Sequence, residues 1–251
     1  NLTRVVPCYD AEALPYYLKK TLTVFKQASR NTFSRSFVFV DDGSNDETWQ
    51  KLNSLFGKRE DCEVLQHAHN FGIAAAILTV FRACKTDLVA VVDADSTFDP
   101  MQLLEMLPLL QPEVSVVSAS PLHGGGTTAS VPSWRLLLST GAAFLYRCVL
   151  RHQLTSYTSC FRLYRRSVIT ELGLFNAGFC GVTEILARID LAGHRIVECP
   201  AVLETRLLGQ SKINLLTTIF DHLKLVARLA AARWLKIPLP TTSFCPNRDH
   251  V

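Results

Sequence analysis

Short apolar runs without polar alternation constrain this chain most. Arg4–Cys8, Phe37–Val40, Cys62–Gln66, Leu88–Val92 and Val114–Ser118 read as strands. Between them Glu12–Ala28, Glu47–Phe56, Ile73–Cys84 and Met101–Leu110 carry helical patterns. A strand apolar on both faces must be covered on both faces. The expectation is therefore an α/β fold, a mostly parallel sheet with helices on either side. Ligands of such sheets bind beyond the carboxyl ends of the strands. The polar clusters fall there: Tyr9-Asp10, Asp41-Asp42-Gly43-Ser44, Asn70-Phe71-Gly72 and Asp93-Ala94-Asp95.

The character changes after residue 120. "PLHGGGTTASVP" (121–132) is a flexible loop by composition. A helix is predicted over 133–151, with Trp134, Leu137, Leu138 and Leu145 among Arg135, Arg147 and Arg151. Residues 181–212 read as a helix, a stop at Gly193, a strand and a basic loop. Asn214–Lys236 reads as a second apolar-basic helix, and Pro238–Val251 as a loose tail. There is no internal repeat.

At 251 residues, 48% hydrophobic and 19% charged, the chain can bury a substantial core. A net charge of +4 is too mild to argue for nucleic acid. The eight cysteines are scattered without a C-x-x-C pair, which fits small buried hydrophobes in a reducing compartment rather than disulfides or zinc. The seven histidines form no H-E-x-x-H pattern, and surface or loop positions account for His67 and His69. No apolar run reaches the roughly 20 residues of a membrane span, so a soluble or peripheral protein is expected. The start Asn1-Leu2-Thr3-Arg4 reads as a trimmed N-terminus, with no signal peptide in view. Absence of G-x-G-x-x-G, of the P-loop pattern and of G-x-S-x-G disfavours dinucleotide oxidoreductases, P-loop phosphotransferases and serine hydrolases.

What remains is a set of acidic strand ends. Asp93 and Asp95 flank one small residue, and residues i and i+2 of an extended segment point the same way. Both carboxylates can then reach one hard divalent cation bridging phosphate oxygens. The competing reading is a loop in which Asp95 or Asp99 caps the helix that starts near Pro100.

"VVPCYDAE" (5–12), "VFVDDGSNDETW" (38–49), "NFGIAAAI", "VVDADSTFDP", "SCFRLYRRSVI" and "RLLGQSK" occur in one order. In that order they resemble the motifs of family 2 glycosyltransferases of GT-A fold, nearest the dolichyl-phosphate mannosyltransferase and polyprenyl-phosphate glycosyltransferase branch. The resemblance spans about residues 3–212. It implies a GT-A domain over 1–212, with a nucleotide-sugar-binding half (1–120) and an acceptor half (121–212), followed by an amphipathic helix and tail (213–251). It further implies that Pro7, Tyr9 and Glu12 line the base pocket, and that Asp42, with Asp41 beside it, binds base or ribose. Asp93 and Asp95 would hold Mg²⁺ or Mn²⁺ on the donor diphosphate. Arg206, Ser211 and Lys212 would gather phosphate, with a solvated basic loop as the plainer alternative for Arg206 and Lys212. Arg162, Arg165 and Arg166 are further phosphate candidates, the last two equally plain surface charges. Glu184 is a general base if the acceptor is a sugar hydroxyl, an orienting group if it is a phosphate, and otherwise a capping carboxylate near a helix start. Asp95, Glu184 and Arg206 are thus the catalytic candidates.

Three positions depart from the family pattern. Thr97 stands where Gln is frequent, Ser118-Ala119-Ser120 where Gly-Ser-Arg is usual, and Ile73 where a basic residue is frequent. The activity implied is an inverting, metal-dependent transfer from a nucleoside diphosphate sugar, of GDP-mannose or UDP-glucose type, to a polyprenyl or dolichyl phosphate. The alternatives are a sugar-hydroxyl acceptor, a nucleotidyltransferase, or a non-catalytic nucleotide-sugar-binding protein. The expected place is cytoplasmic, peripheral at the cytoplasmic face of a membrane. There the helices over 133–151 and 214–236 either lie in the interface or face the core.

Overall fold

The computed structural model describes residues 2–10, 35–95, 97–128, 131–170, 172–204 and 215–241. The helix expected over Glu12–Ala28, together with Glu12, Arg206, Ser211 and Lys212, lies outside the described residues.

Seven strands form one sheet: β1 (Leu2–Cys8), β2 (Arg35–Asp41), β3 (Cys62–Gln66), β4 (Leu88–Val91), β5 (Val114–Ser120), β6 (Arg162–Arg165) and β7 (Arg195–Pro200). Their order is β3-β2-β1-β4-β6-β5-β7. β1 pairs parallel with β2 and β4, β2 with β3, and β5 with β7; β6 alone runs antiparallel, between β4 and β5. The helices are α1 (Thr48–Phe56), α2 (Ile73–Ala83), α3 (Leu103–Met106), α4 (Ser133–Val149), α5 (Phe179–Leu191) and α6 (Leu215–Trp234).

The strand period divides the core into two layers. Val5, Val38, Val40, Val89, Val91 and Val116 face one side, packed against α2, α4, α5 and α6. Leu2, Val6, Phe37, Phe39, Ala90 and Val117 face the other, packed against α1 and α3. Burying each large side chain stabilises by about 1.5–3 kcal/mol, so the all-apolar strands hold both layers of helix. In α1, Leu52 and Phe56 sit one turn apart, and the Phe56 ring stacks on Phe39 at 3.9 Å.

Two expectations change. The helix over Met101–Leu110 is broken into a 3₁₀ turn (Pro100–Gln102), α3 and a second 3₁₀ turn (Leu107–Leu109). Pro108 cannot donate a backbone N–H there. β6 was not foreseen as a strand, because a four-residue run with arginine at each end hides its apolar middle. The residues after Pro238 begin docked, since an Arg188 N–H donates to the Pro240 carbonyl. Among the described residues no helix is long and apolar enough to cross a membrane.

α4 and α6 meet through a hydrogen-bonded pair, buried Tyr146 and half-buried His222: the Tyr146 hydroxyl lies 2.7 Å from His222 Nδ1. Burial holds the tyrosine protonated, so it donates and the histidine accepts. Burial also lowers the His222 pKa below its ordinary 6.5. The folded chain therefore takes up this proton less readily than the unfolded one. The stabilising contribution is present above about pH 6.5 and is lost as pH falls below it. His222→Gln leaves an amide oxygen to accept from Tyr146 and removes the titration. Melting curves between about pH 7.5 and pH 5 are expected to show a steeper acid loss for wild type than for the variant; parallel curves would contradict the assignment.

Candidate functional site

The four polar clusters do gather at the carboxyl end of the parallel strands. The loop after β2 is built around two buried carboxylates. Asp41 Oδ1 accepts from the backbone and hydroxyl of Ser44, and Oδ2 accepts from Gln66 Nε2 at 3.1 Å. Asp42 Oδ1 accepts from Phe71 N at 3.0 Å and lies 2.7 Å from His67 Nδ1; Oδ2 accepts from Gly72 N at 2.7 Å. Both residues are almost fully buried, Asp41 at 0% and Asp42 at 2% exposure. In this structure both carboxylates tie loops together. Gly43 (φ +66°) allows this closeness, since a Cβ there would fall 2.4 Å from the His69 carbonyl carbon. Gly72 (φ +105°) does the same against the Ala177 carbonyl oxygen.

Beside that loop, Pro7 is buried in β1 and Tyr9 is half-buried, its hydroxyl 3.4 Å from Asn45 Nδ2. Asp10 (φ +42°) donates its N–H to Ser44 Oγ and accepts from Asn45 N. A cavity of about 790 Å³ opens alongside, lined by Ser44, Asn45, Trp49, Gln66, His69 and Asn70 among others.

At the end of β4 the geometry differs from an extended segment. The strand stops at Val91, and Ala94-Asp95 form a turn. Asp93 and Asp95 are both half-buried. Asp95 Oδ1 accepts from Thr97 N at 3.0 Å and Thr97 Oγ1 at 2.8 Å. Thr97 thus orients Asp95. The helix cap is Asp99, which accepts from Met101 N at 2.9 Å. The Cys160 thiol lies against this pair. Burial pushes its pKa well above the ordinary range, and the Asp93 carboxylate pushes it further.

Among the described residues no three His, Cys, Asp or Glu side chains converge in a way that could hold a metal ion. Two acidic residues at one strand end nonetheless suit a hard cation that takes its remaining oxygens from phosphate and water.

Arg162 is fully buried, its guanidinium donating to the Val182 and Tyr157 carbonyls and to Ser118 Oγ. Arg165 donates to the Val114, Leu110 and Gln111 carbonyls at the amino end of β5, away from the acidic strand ends. Arg166 follows it at that same end, exposed. Glu184 is also fully buried, accepting from Phe175 N, Asn176 N and Arg188 Nε. Burial raises its pKa while these three donors oppose the rise. It closes the loop before α5. The two unusual serines are used internally: Ser118 by Arg162, and Ser120 by the Thr155 hydroxyl at 2.7 Å.

His67 is the residue that sequence reasoning misplaced. It is buried at 1% exposure and bridges Asp42 to Thr79 Oγ1 of α2. Its alternation with exposed His69 was the available signal.

With this geometry in hand, comparison with known proteins is informative. The family model described as Glycosyl transferase family 2 matches residues 3–173. A dolichol-phosphate mannosyltransferase of Pyrococcus furiosus is 28% identical over 194 residues, covering 76% of this chain and 54% of that protein. An undecaprenyl-phosphate mannosyltransferase of Micrococcus luteus is 25% identical over 217 residues, covering 84% of this chain and 86% of that protein. The chain thus spans about half the length of the first relative. Glucosyl-3-phosphoglycerate synthase from Mycobacterium tuberculosis, solved with Mn²⁺, UDP and phosphoglyceric acid, has a TM-score of 0.65 at 16% identity, covering 95% of this chain and 79% of that one. That likeness bears out the GT-A fold.

The carboxylates therefore divide into scaffold and site. Asp42→Ala strands two backbone N–H groups and His67, and is expected to cost about 3 kcal/mol or more. Asp95→Ala acts at a half-buried turn, where Asp95 accepts from Thr97, and is expected to cost about 1 kcal/mol or less. Urea unfolding of both variants checks the contrast; equal losses would contradict it.

Proposed function

Because the chain belongs to glycosyl transferase family 2, we propose that it transfers a sugar from a nucleoside diphosphate sugar to a polyprenyl phosphate at a membrane surface, with inversion. One observation supports this reading: Asp93 and Asp95 stand half-buried at one strand end, where β4 stops, with Thr97 orienting Asp95. Asp93 and Asp95 would hold Mg²⁺ or Mn²⁺, which when bound offsets charge on the donor diphosphate. Thr97 holds the Asp95 carboxylate in place. Tyr9, Asn45, Trp49 and the cavity beyond them are suited to the base, with Pro7 as a buried floor and Glu12 added from the motif. Arg206, Ser211 and Lys212 are proposed to gather phosphate, Arg as a bidentate fork and Lys as a compact charge.

A phosphate acceptor also agrees with Glu184. An ionised acceptor oxygen needs no general base, and the one carboxylate considered for that role is turned inward. That burial weakens the sugar-hydroxyl alternative. The names of the Pyrococcus and Micrococcus relatives support a polyprenyl-phosphate acceptor.

A thermal-shift panel of UDP-, GDP-, CDP- and dTDP-sugars with and without Mn²⁺ tests the proposal. One donor is expected to raise the melting temperature by about 5 °C with the cation and little without it. Asp95→Asn is expected to abolish the gain. No metal-dependent shift from any donor, or a full shift in the variant, would overturn it.

A further inference from the structure

After α6 the chain comes back across α5. Lys236, in the left-handed region at φ +56°, turns it, and Leu235 N and Ile237 N both donate to the Ala231 carbonyl. Residues 237–241 then run as a strap attached at three points. Leu239 packs against the core layer that α5 and α6 cover. An Arg188 N–H of α5 donates to the Pro240 carbonyl. Thr241 lies so close to Gly173 that a Cβ on the glycine would fall 2.8 Å from the Thr241 Cγ2 and 3.1 Å from its Cβ. Leu239 is half-buried and the other four residues of the strap are exposed. Pro238 and Pro240 stiffen it, which reduces the entropy lost on docking. A segment held at so few points can open locally while the rest of the molecule stays folded.

Beneath the strap lies the irregular loop over residues 172–178. Side chains of the two helices hold it. Glu184 accepts from Phe175 N and Asn176 N, and the Arg228 guanidinium of α6 sits 4.1 Å from the centre of the Phe175 ring. Arg188 serves both layers with one guanidinium: Nε donates to Glu184 Oε1 at 2.7 Å, and Nη2 donates to the strap.

At its far end the loop meets the turn before α2. The Ala177 carbonyl accepts from Ala74 N and Ala75 N, and Gly72 is pressed against the same oxygen. Gly72 N donates to Asp42, and Asn70 of that turn lines the cavity of the candidate site. Direct contacts therefore run without a break from the strap to the wall of the cavity. Contact alone does not establish coupling; a change at one end that moves the other does.

We infer that residues 237–241 set the position of the 172–178 loop and, through Ala177, of the Asn70–Gly72 turn, with Arg188 as the positioning residue between strap and loop. The strap is a regulatory contact. Anything that lifts these exposed residues loosens the cavity wall, and by reciprocity anything that fills the cavity tightens the strap. Only the second of these consequences rests on the proposed nucleotide site.

Amide hydrogen exchange of the 251-residue chain, followed at Phe175, Asn176, Ala74 and Ala75, tests the coupling. Among the described residues, Thr241 alone lies within 4 Å of a Cβ added at Gly173, chain neighbours aside. Gly173→Ala is therefore expected to lift the strap and speed exchange at all four amides by at least about tenfold. Adding Thr241→Gly removes the atoms struck and is expected to restore wild-type exchange. Leu239→Ser loosens the strap without a clash and is expected to reproduce the Gly173→Ala pattern. Amides of β1 and β2 are expected to keep their protection in every variant. Unchanged exchange at Ala74 and Ala75 in both single variants would overturn the inference. So would loosening that Thr241→Gly fails to rescue, which would place the defect in the loop itself. Protection lost throughout the sheet would also overturn it, because the strap would then be a plain stability element. Mn²⁺ with UDP or GDP is expected to slow exchange at Phe175 and Asn176 in wild type. The variant pattern without that slowing would uphold the strap and count against the proposed function. Slowing by nucleotide with exchange unmoved in the variants would do the reverse.

Discussion

Carboxylates that accept paired backbone N–H groups hold this molecule's loops in place. Asp42 takes Phe71 N and Gly72 N; Glu184 takes Phe175 N and Asn176 N. Asp190 takes Arg151 N and His152 N, and Glu198 takes Thr155 N and Ser156 N. Each satisfies two donors that a loop leaving regular structure would otherwise strand, and charge-assisted bonds of this kind are stronger than neutral ones. The Asp42 pair matters most. It joins the end of β2 to the turn before α2, and through Ala177 O, which accepts from Ala74 N and Ala75 N, to the loop before α5. Glu184 then fixes that loop from its other side. The two halves of the chain meet through this connection.

Asp93 and Asp95 sit half-buried at the end of β4, where Thr97 orients Asp95. A buried Arg162 braces the same strand end from beneath by holding the Tyr157 and Val182 carbonyls. Preorganisation of this kind lowers the cost of gathering charged groups at one point.

Much of the fold was legible in the chain. Strands apolar on both faces demanded a two-sided cover, and Val5 and Val6 go to opposite layers as that pattern requires. The site was legible as an address, the carboxyl ends, because ligand loops must collect there. It was less legible residue by residue. Carboxylates and arginines look alike in sequence whether they face a phosphate or a backbone. Asp42, Arg162 and Glu184 all turned inward because burial and partners from distant segments decide orientation. His67 escaped notice for the same reason: its partners Asp42 and Thr79 are 25 and 12 residues away. The antiparallel β6 has no periodic signature at four residues, and only its neighbours β4 and β5 specify it.

The central claim is that Asp93 and Asp95 alone among the strand-end acids hold the cation, and do so together with the donor diphosphate. Electron paramagnetic resonance of Mn²⁺ reads this directly as loss of the free-ion signal. With a nucleoside diphosphate present, wild type should bind the ion, and Asp93→Asn and Asp95→Asn should not, while both variants remain folded. Equal binding by wild type and both variants would contradict the account.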